Sequence, residues 1–445
     1  MSLGLAYKYF PATRNIKILE AGSFLLPIAI NNFRLIGSCR SISSHPTQAV
    51  HSVPARLCEK SRRINHYSAR FEGGQNFNTY PYAMSMAYTS PSLTKDKKVQ
   101  APRPSASVVL LSPENQVLLL HRVQTSSAFP SAHVFPGGNL SNFHDGTVPG
   151  ADDLTRHEDS IPYRLGAIRE TFEESGILIA REEGASENSL NVSSEERDQA
   201  RKAIYKNEVH FVEWLRTAGG VADTDNLIPF TRWITPTNQP RRYTTQMYLY
   251  MLPLSVSNDP AISAAQSEAM IPKPDGGVEI TAARFDYASS WLEKQRKGEI
   301  VLFPPQYFLL HLIAQYLTGP PPEPLNSSQL TEYYHAQRER LREFIATVPT
   351  ASEEKAAKHP TAQIPWGDKV ISPNVLGIRK SDRRSILGLD KPGPELRETD
   401  RGGDWERVVL VKFGKGVATN VEVRSREEVL AEERRLESAP KETKL

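Results

Sequence analysis

Strands and helices alternate through the middle of this chain, which reads as an α/β body between two less regular flanks. Three observations support that reading. Residues 107–111 and 117–121 are β-rich runs either side of the turn Pro113-Glu114-Asn115-Gln116, the pattern of a hairpin. Leu165, Ile168 and Phe172 recur at helical spacing within residues 163–175. Across the whole chain, 33 prolines and a hydrophobic content of 39 % are the composition of a protein with long irregular segments. A length of 445 residues allows two or three domains. The net charge of +3 gives no ground to expect a nucleic-acid partner.

Residues 1–100 are basic and poor in acid. Lysine and arginine recur from Lys8 to Arg70, whereas the acidic residues are Glu20, Glu59, Glu72 and Asp96. This is the profile of a mitochondrial transit peptide followed by a largely disordered arm. The alternative is a non-functional extension, with Met84 or Met86 as the effective start. The last three residues, Thr443-Lys444-Leu445, form a weak variant of the peroxisomal address, and a cytosolic location is the third option. Both cysteines, Cys39 and Cys58, lie in the arm, so neither a disulfide framework nor a zinc site is expected in the body. No apolar run approaches the roughly 18 residues of a membrane span.

The body begins at Ala101. After the hairpin, residues 126–130 are expected to be loop, as is His133. Pro136-Gly137-Gly138 makes a sharp turn with exposed backbone. Residues 139–160, rich in Asp, Gly and Ser, read as a surface loop. A helix starts near Pro162 and stops at Gly176, where a left-handed cap residue is wanted. Residues 177–180 are expected as strand, and residues 197–218 show helical periodicity. A strand is expected at 245–252, helices at 288–297 and 308–317, and a stiff proline-rich linker at 319–324. A charged helix at 328–346, an irregular stretch at 347–402, a hairpin about Gly414-Lys415-Gly416 and a helix at 425–437 complete the chain.

The chemistry is concentrated on the first helix. Glu170, Glu173 and Glu174 are three and four residues apart, so they share one face and repel one another. A hard divalent cation, Mg²⁺ or alternatively Mn²⁺, removes that penalty because it takes oxygen ligands. A solvated acidic face is the competing explanation. Arg169, one turn before Glu173, can hold it by a charge-assisted bond. Downstream, Arg241 and Arg242 precede a strand and could grip a substrate phosphate with forked hydrogen bonds, or form a solvated basic turn.

Arg169-Glu170-Thr171-Phe172-Glu173-Glu174-Ser175-Gly176-Ile177, with Pro136-Gly137-Gly138 upstream, resembles the Nudix box, G-x5-E-x7-R-E-U-x-E-E-x-G-U with U aliphatic. Gly138 precedes Arg169 by 31 positions where the pattern has fourteen. Such an insertion is similar to that of the coenzyme A and acyl-coenzyme A diphosphatase branch, as are Trp233-Ile234-Thr235-Pro236 and Arg241-Arg242-Tyr243. The first glutamate of the box is displaced; Asp145, Asp153, Glu158 or Asp159 could replace it, or nothing does.

The resemblance implies a Nudix α/β/α sandwich with a mixed sheet over residues 101–318, followed by a C-terminal extension over 319–445 to which it does not reach. It implies metal ligation by Glu170, Glu173, Glu174, the Gly137 carbonyl and Glu279, with structural support from Arg169, Gly138 and Gly176. It makes Glu170, and next Glu279, the group that orients or deprotonates the attacking water, and favours Arg241 or Arg242 as a phosphate ligand. The implied reaction is hydrolysis of a nucleoside-diphosphate-linked molecule, foremost coenzyme A or acyl-coenzyme A. The alternatives are ADP-ribose or a dinucleotide as substrate, or a Nudix-fold module that binds without hydrolysing. The sequence leaves the oligomeric state open.

Overall fold

The computed structural model describes residues 99–124, 131–184, 190–254, 270–275, 279–414 and 417–438. The basic arm up to residue 98, both cysteines, the 126–130 loop, Gly276-Gly277, the Lys415-Gly416 turn and the C-terminal tripeptide lie outside them.

The organising element is β1 (Arg103–Leu111), which pairs in parallel with β8 (Tyr243–Met251) from Arg103↔Tyr243 to Leu111↔Met251. Its other edge is shared between β2 (Val117–Arg122) and the short β4 (Gly137–Asn139), both antiparallel. β2 pairs in turn with β3 (His133–Val134) and β9 (Ile280–Asp286). β7 (Ile228–Ile234) lies antiparallel to β8, and β10 (Val370–Ile371) adds to β7 in parallel. The mixed sheet expected from the resemblance is therefore present.

Alternation along the strands sends side chains to two apolar layers. Ala106, Val108 and Leu110 of β1 and Leu118 and Leu120 of β2 face α1 (Ile161–Ser175), meeting Ala167, Ile168 and Phe172. Val109, Leu111, Val117 and Leu119 face the other way, onto α4 (Ala288–Arg296), α5 (Pro304–Ile313) and α6 (Ser327–Ala346). Burial on both faces explains why β1 reads as a continuous apolar run. Each such side chain contributes about 1.5–3 kcal/mol of transfer free energy.

Local expectations shift in several places. His133 sits in a strand rather than a loop, its ring stacked on His121 at 4.7 Å. The strand after α1 is β5 (Ala180–Glu182), paired with β6 (Gly220–Ala222), and does not start at Ile177. The 197–218 periodicity divides into α2 (Ser194–Tyr205) and α3 (Phe211–Thr217), because Asn207 adopts a left-handed φ of 57°. The apolar helix starts at Pro304, since proline suits a first helical turn.

Residues 139–160 are more than a surface loop. Arg156 and His157 are buried. Arg156 Nη1 donates to Pro102 O at 2.8 Å, and His157 Nδ1 lies 3.0 Å from Thr244 Oγ1. Burial first, then the charge of Arg232, pushes the His157 imidazole down to about 4.

Residues 319–445 differ from an appended extension as well. Arg338 of α6 is buried, and its guanidinium donates to Asn115 Oδ1, Leu252 O and Ser112 O, each at 2.7 Å. Trp366 fills the space against Phe230, Phe308 and Phe344. The stretch expected to be irregular contains β10, the short α7 (Glu354–Ala357), β11 (Asn374–Ile378) and β12 (Ser385–Leu389). β11 and β12 join β13 (Asp404–Gly414) and β14 (Val417–Ser425) in a second sheet, beside α8 (Arg426–Ser438). Leu387, Leu389, Val409 and Val411 share one core with α5 and the main sheet.

Candidate functional site

α1 is a good platform because one face is apolar and its end is fixed. Tyr163, Ala167, Ile168 and Phe172 are buried, whereas Leu165, expected on that face, is half-buried. Gly176 takes φ 75° and its N–H donates to Phe172 O at 2.8 Å, the expected cap. Arg201 of α2 donates from Nε and Nη2 to Glu173 O at 3.2 and 2.8 Å, and Lys273 N donates to Ser175 O at 2.7 Å. The last-turn carbonyls of Phe172, Glu173 and Ser175 thus find partners.

Arg169 is the hub of the site. It is 4 % exposed, and Nη1 donates to Glu170 Oε1 at 2.9 Å and to Glu173 Oε1 at 2.8 Å. Its opposite edge meets Asp145 in a fork, Nε to Oδ1 at 2.9 Å and Nη2 to Oδ2 at 2.8 Å. Asp145 is fixed in place by Ser141, whose N–H donates to Oδ2 at 2.8 Å. Of the four acidic residues that compete on sequence for the displaced position, Asp145 is the one that pairs with Arg169. Asp153 caps a 3-10 turn, Asp159 pairs with Arg164, and Glu158 is exposed. Asp145 follows Gly138 by seven residues and precedes Arg169 by 24, so nearly all the extra chain lies between Asp145 and α1.

The Pro136-Gly137-Gly138 turn faces the same carboxylates. Gly137 N donates to Glu174 Oε2 at 2.8 Å. A Cβ on Gly137 would stand 2.3 Å from Ala106 O, and one on Gly138 would stand 2.5 Å from the Glu170 carboxylate. Gly137 therefore excludes a side chain, whereas one at Gly138 would force the Glu170 carboxylate to move. Gly137 meets the site through its N–H, and Gly138 through this close approach.

Glu279 joins from a distant segment. Arg122, at the end of β2, lies 3.0 Å from Glu279 Oε2 and 3.6 Å from Glu174 Oε1, and so bridges them. Asp275 shapes the approach by accepting from Glu279 N at 2.8 Å. Neither Arg122 nor Asp275 belongs to a local pattern, and both were missed on sequence; only the fold makes them neighbours.

Crowding shows in the acidities. Burial, then the charge of Glu173 acting against Arg169, pushes the Glu170 carboxyl up to about 7. Burial and Glu170 together raise Glu174, and burial raises Glu173. Among the described residues no three acidic or histidine side chains converge on a single point. The carboxylates are turned instead onto Arg169, Arg122 and the Gly137 N–H. Desolvated, mutually repelling carboxylate oxygens within two helical turns are of the donor type that a hard divalent cation takes as ligands.

The structure corrects the assignment of Arg242. Its side chain is buried, donates to Thr235 O at 2.9 Å and Gln100 O at 3.0 Å, and pairs with Glu395. It holds the scaffold and is not presented to a ligand. Arg241 is exposed at the same turn.

A family model described as the NUDT19 Nudix domain matches residues 150–313. The chain is 29 % identical over 215 residues to putative nudix hydrolase 7 of Caenorhabditis elegans, covering 48 % of this chain and 61 % of that protein. It is 26 % identical over 243 residues to acyl-coenzyme A diphosphatase NUDT19 of Xenopus laevis, covering 45 % and 60 %. The chain thus spans about three fifths of the length of the curated relatives it matches. A crystal structure of a Nudix hydrolase from Alicyclobacillus acidocaldarius is similar at 22 % identity and a TM-score of 0.36, covering 48 % of this chain and 92 % of that one.

Proposed function

We propose, on the premise that the chain is a Nudix hydrolase of the coenzyme A diphosphatase branch, that it cleaves the diphosphate of coenzyme A or acyl-coenzyme A. The products would be 3′,5′-adenosine diphosphate and 4′-phosphopantetheine, free or acylated. The observation that supports this reading is the placing of Glu174 on the Gly137 N–H and of Glu170 against Gly138, with Glu173 held on Arg169 beside Glu170 and Glu279 drawn in by Arg122.

Glu170, Glu173, Glu174, Glu279 and the Gly137 carbonyl are the groups that would hold Mg²⁺ or Mn²⁺. Such an ion, when bound, neutralises the diphosphate and makes coordinated water more acidic. The chain's own residues do the rest. Arg169, fixed by Asp145, sets the rotamers of Glu170 and Glu173 before substrate arrives. Glu170, pressed against Gly138, orients or deprotonates the attacking water, and Glu279 is the second choice. The pairing of Asp145 with Arg169 supports its standing in for the displaced glutamate and favours hydrolysis over a module that only binds.

The test is a hydrolysis panel with coenzyme A, an acyl-coenzyme A, ADP-ribose and NADH in Mg²⁺. The reading requires the two coenzyme A substrates to give the highest kcat/KM. Faster cleavage of ADP-ribose or NADH, or no cleavage at all, would overturn it.

A further inference from the structure

We infer that Arg201 is a positioning residue for the carboxylate site. Its guanidinium joins the end of α1, which carries Glu173, to the segment that leads to Glu279. The inference rests on reading that site as one that holds a divalent cation for hydrolysis.

Arg201 lies in the second half of α2 and is buried. Its Nε and Nη2 donate to Glu173 O, and the same Nη2 donates to Lys273 O at 3.1 Å. One nitrogen thus spans carbonyls of two different segments, which its two N–H bonds allow. Gly176 leaves room for this, since a Cβ there would stand 3.1 Å from Arg201 Nη1. Lys273 is held from its other side as well. Its N–H donates to Ser175 O, and its ammonium donates to Ser194 Oγ in the first turn of α2.

Two residues on, Asp275 passes that placement to Glu279. Its carboxylate accepts from Glu279 N at 2.8 Å and from Ile280 N at 3.1 Å. Glu279 O in turn accepts from Val123 N at 2.9 Å, next to the Arg122 that reaches the Glu279 carboxylate. A cap for α1 needs only the bond to Glu173 O. The bond to Lys273 O is the one a cap does not explain, and it lies on the segment that brings in the carboxylate from outside the box. The ion pair of Arg201 with Asp198 is longer, at 3.8 Å, so the carbonyls rather than that acid orient the guanidinium.

The test compares wild type, Arg201→Ala and Arg201→Lys, each alone and combined with Glu279→Gln. The readouts are calorimetric binding of Mn²⁺ without substrate, and hydrogen exchange at the amides of Lys273, Glu279 and Ile280. Arg201→Ala should weaken Mn²⁺ binding by about tenfold and speed exchange at all three amides. Arg201→Lys keeps a cation at the end of α1 but lacks the planar fork. It should show the same losses with a melting temperature nearer wild type, and it carries the comparison if Arg201→Ala does not fold. With Glu279→Gln in place, either change at Arg201 should alter Mn²⁺ binding little, because the group it positions is already gone. Additive losses in the double variants, or wild-type exchange at Glu279 in the single ones, would overturn the positioning role and leave Arg201 a cap of α1. The two readings fail separately. Exchange and Mn²⁺ results as expected, in a protein that hydrolyses no coenzyme A, overturn the proposed reaction alone. An active enzyme whose Arg201 variants bind Mn²⁺ as wild type does overturns the positioning role alone.

Discussion

Two stretches of this sequence each crowd like charges together, and folding treats them oppositely. Glu170, Glu173 and Glu174 are spaced for a helix, and α1 sets Glu170 and Glu173 on Arg169 and Glu174 on the Gly137 N–H. Arg241 and Arg242 are adjacent and lead into a strand. One is exposed, and the other is buried against Glu395, 153 residues away. Helical spacing of three and four gathers side chains, whereas extended neighbours point to opposite sides. Charge density in a sequence thus becomes a site only where the backbone period gathers it.

The comparison is broken most directly at the gathered cluster. Glu174→Gln, and likewise Glu173→Gln, keeps shape and removes charge. Each should lower turnover on the order of a hundredfold or more, with a melting temperature at least equal to wild type because a repulsion is relieved. Unchanged rates in either variant would remove it from the site.

Asp145 tests whether the hub needs its buried partner. Asp145→Ala leaves Arg169 buried against one empty edge, and should destabilise the fold by about 3–5 kcal/mol in denaturant titrations. Asp153→Ala, at an exposed cap, should cost much less. Equal losses would mean that Asp145 is not the displaced box residue.

The dispersed cluster is sharpened by its two members. Arg242→Ala should cost stability, about 3 kcal/mol, and leave the kcat/KM ratio of coenzyme A to 3′-dephospho-coenzyme A as in wild type. Arg241→Ala should spare stability. If Arg241 serves the 3′-phosphate, that ratio falls by about tenfold; if it does not, Arg241 is a solvated turn residue.

The smallest effect concerns how residues 139–160 are held. The folded protein keeps His157 neutral down to about pH 4, whereas an unfolded chain takes up that proton near 6.5. Between those values the unfolded state binds more protons, so stability is complete above pH 6.5 and declines as pH falls towards 4. The contribution is at most about 3 kcal/mol. His157→Gln should flatten that part of the stability–pH curve measured by urea unfolding, and an unaltered slope would assign the acid sensitivity elsewhere.

The sequence by itself determined the features whose cause is local. The β1–β2 hairpin, the α1 carboxylate face, the Gly176 cap and the α8 helix follow from periodicity and turn chemistry within about twenty residues. The resemblance to the box added the mixed sheet and the pairing of helix with glycine turn. Only the tertiary structure decided that Asp145 pairs with Arg169, that Arg122 ties Glu279 to Glu174, and that Arg242 is buried in the scaffold. It also decided that described residues beyond 319 contribute to the core, as when Arg338 reaches Ser112 across 226 positions. Those outcomes depend on which buried charge finds which partner. A buried guanidinium must be paired wherever its strand or helix delivers it, and no spacing along the chain encodes that address.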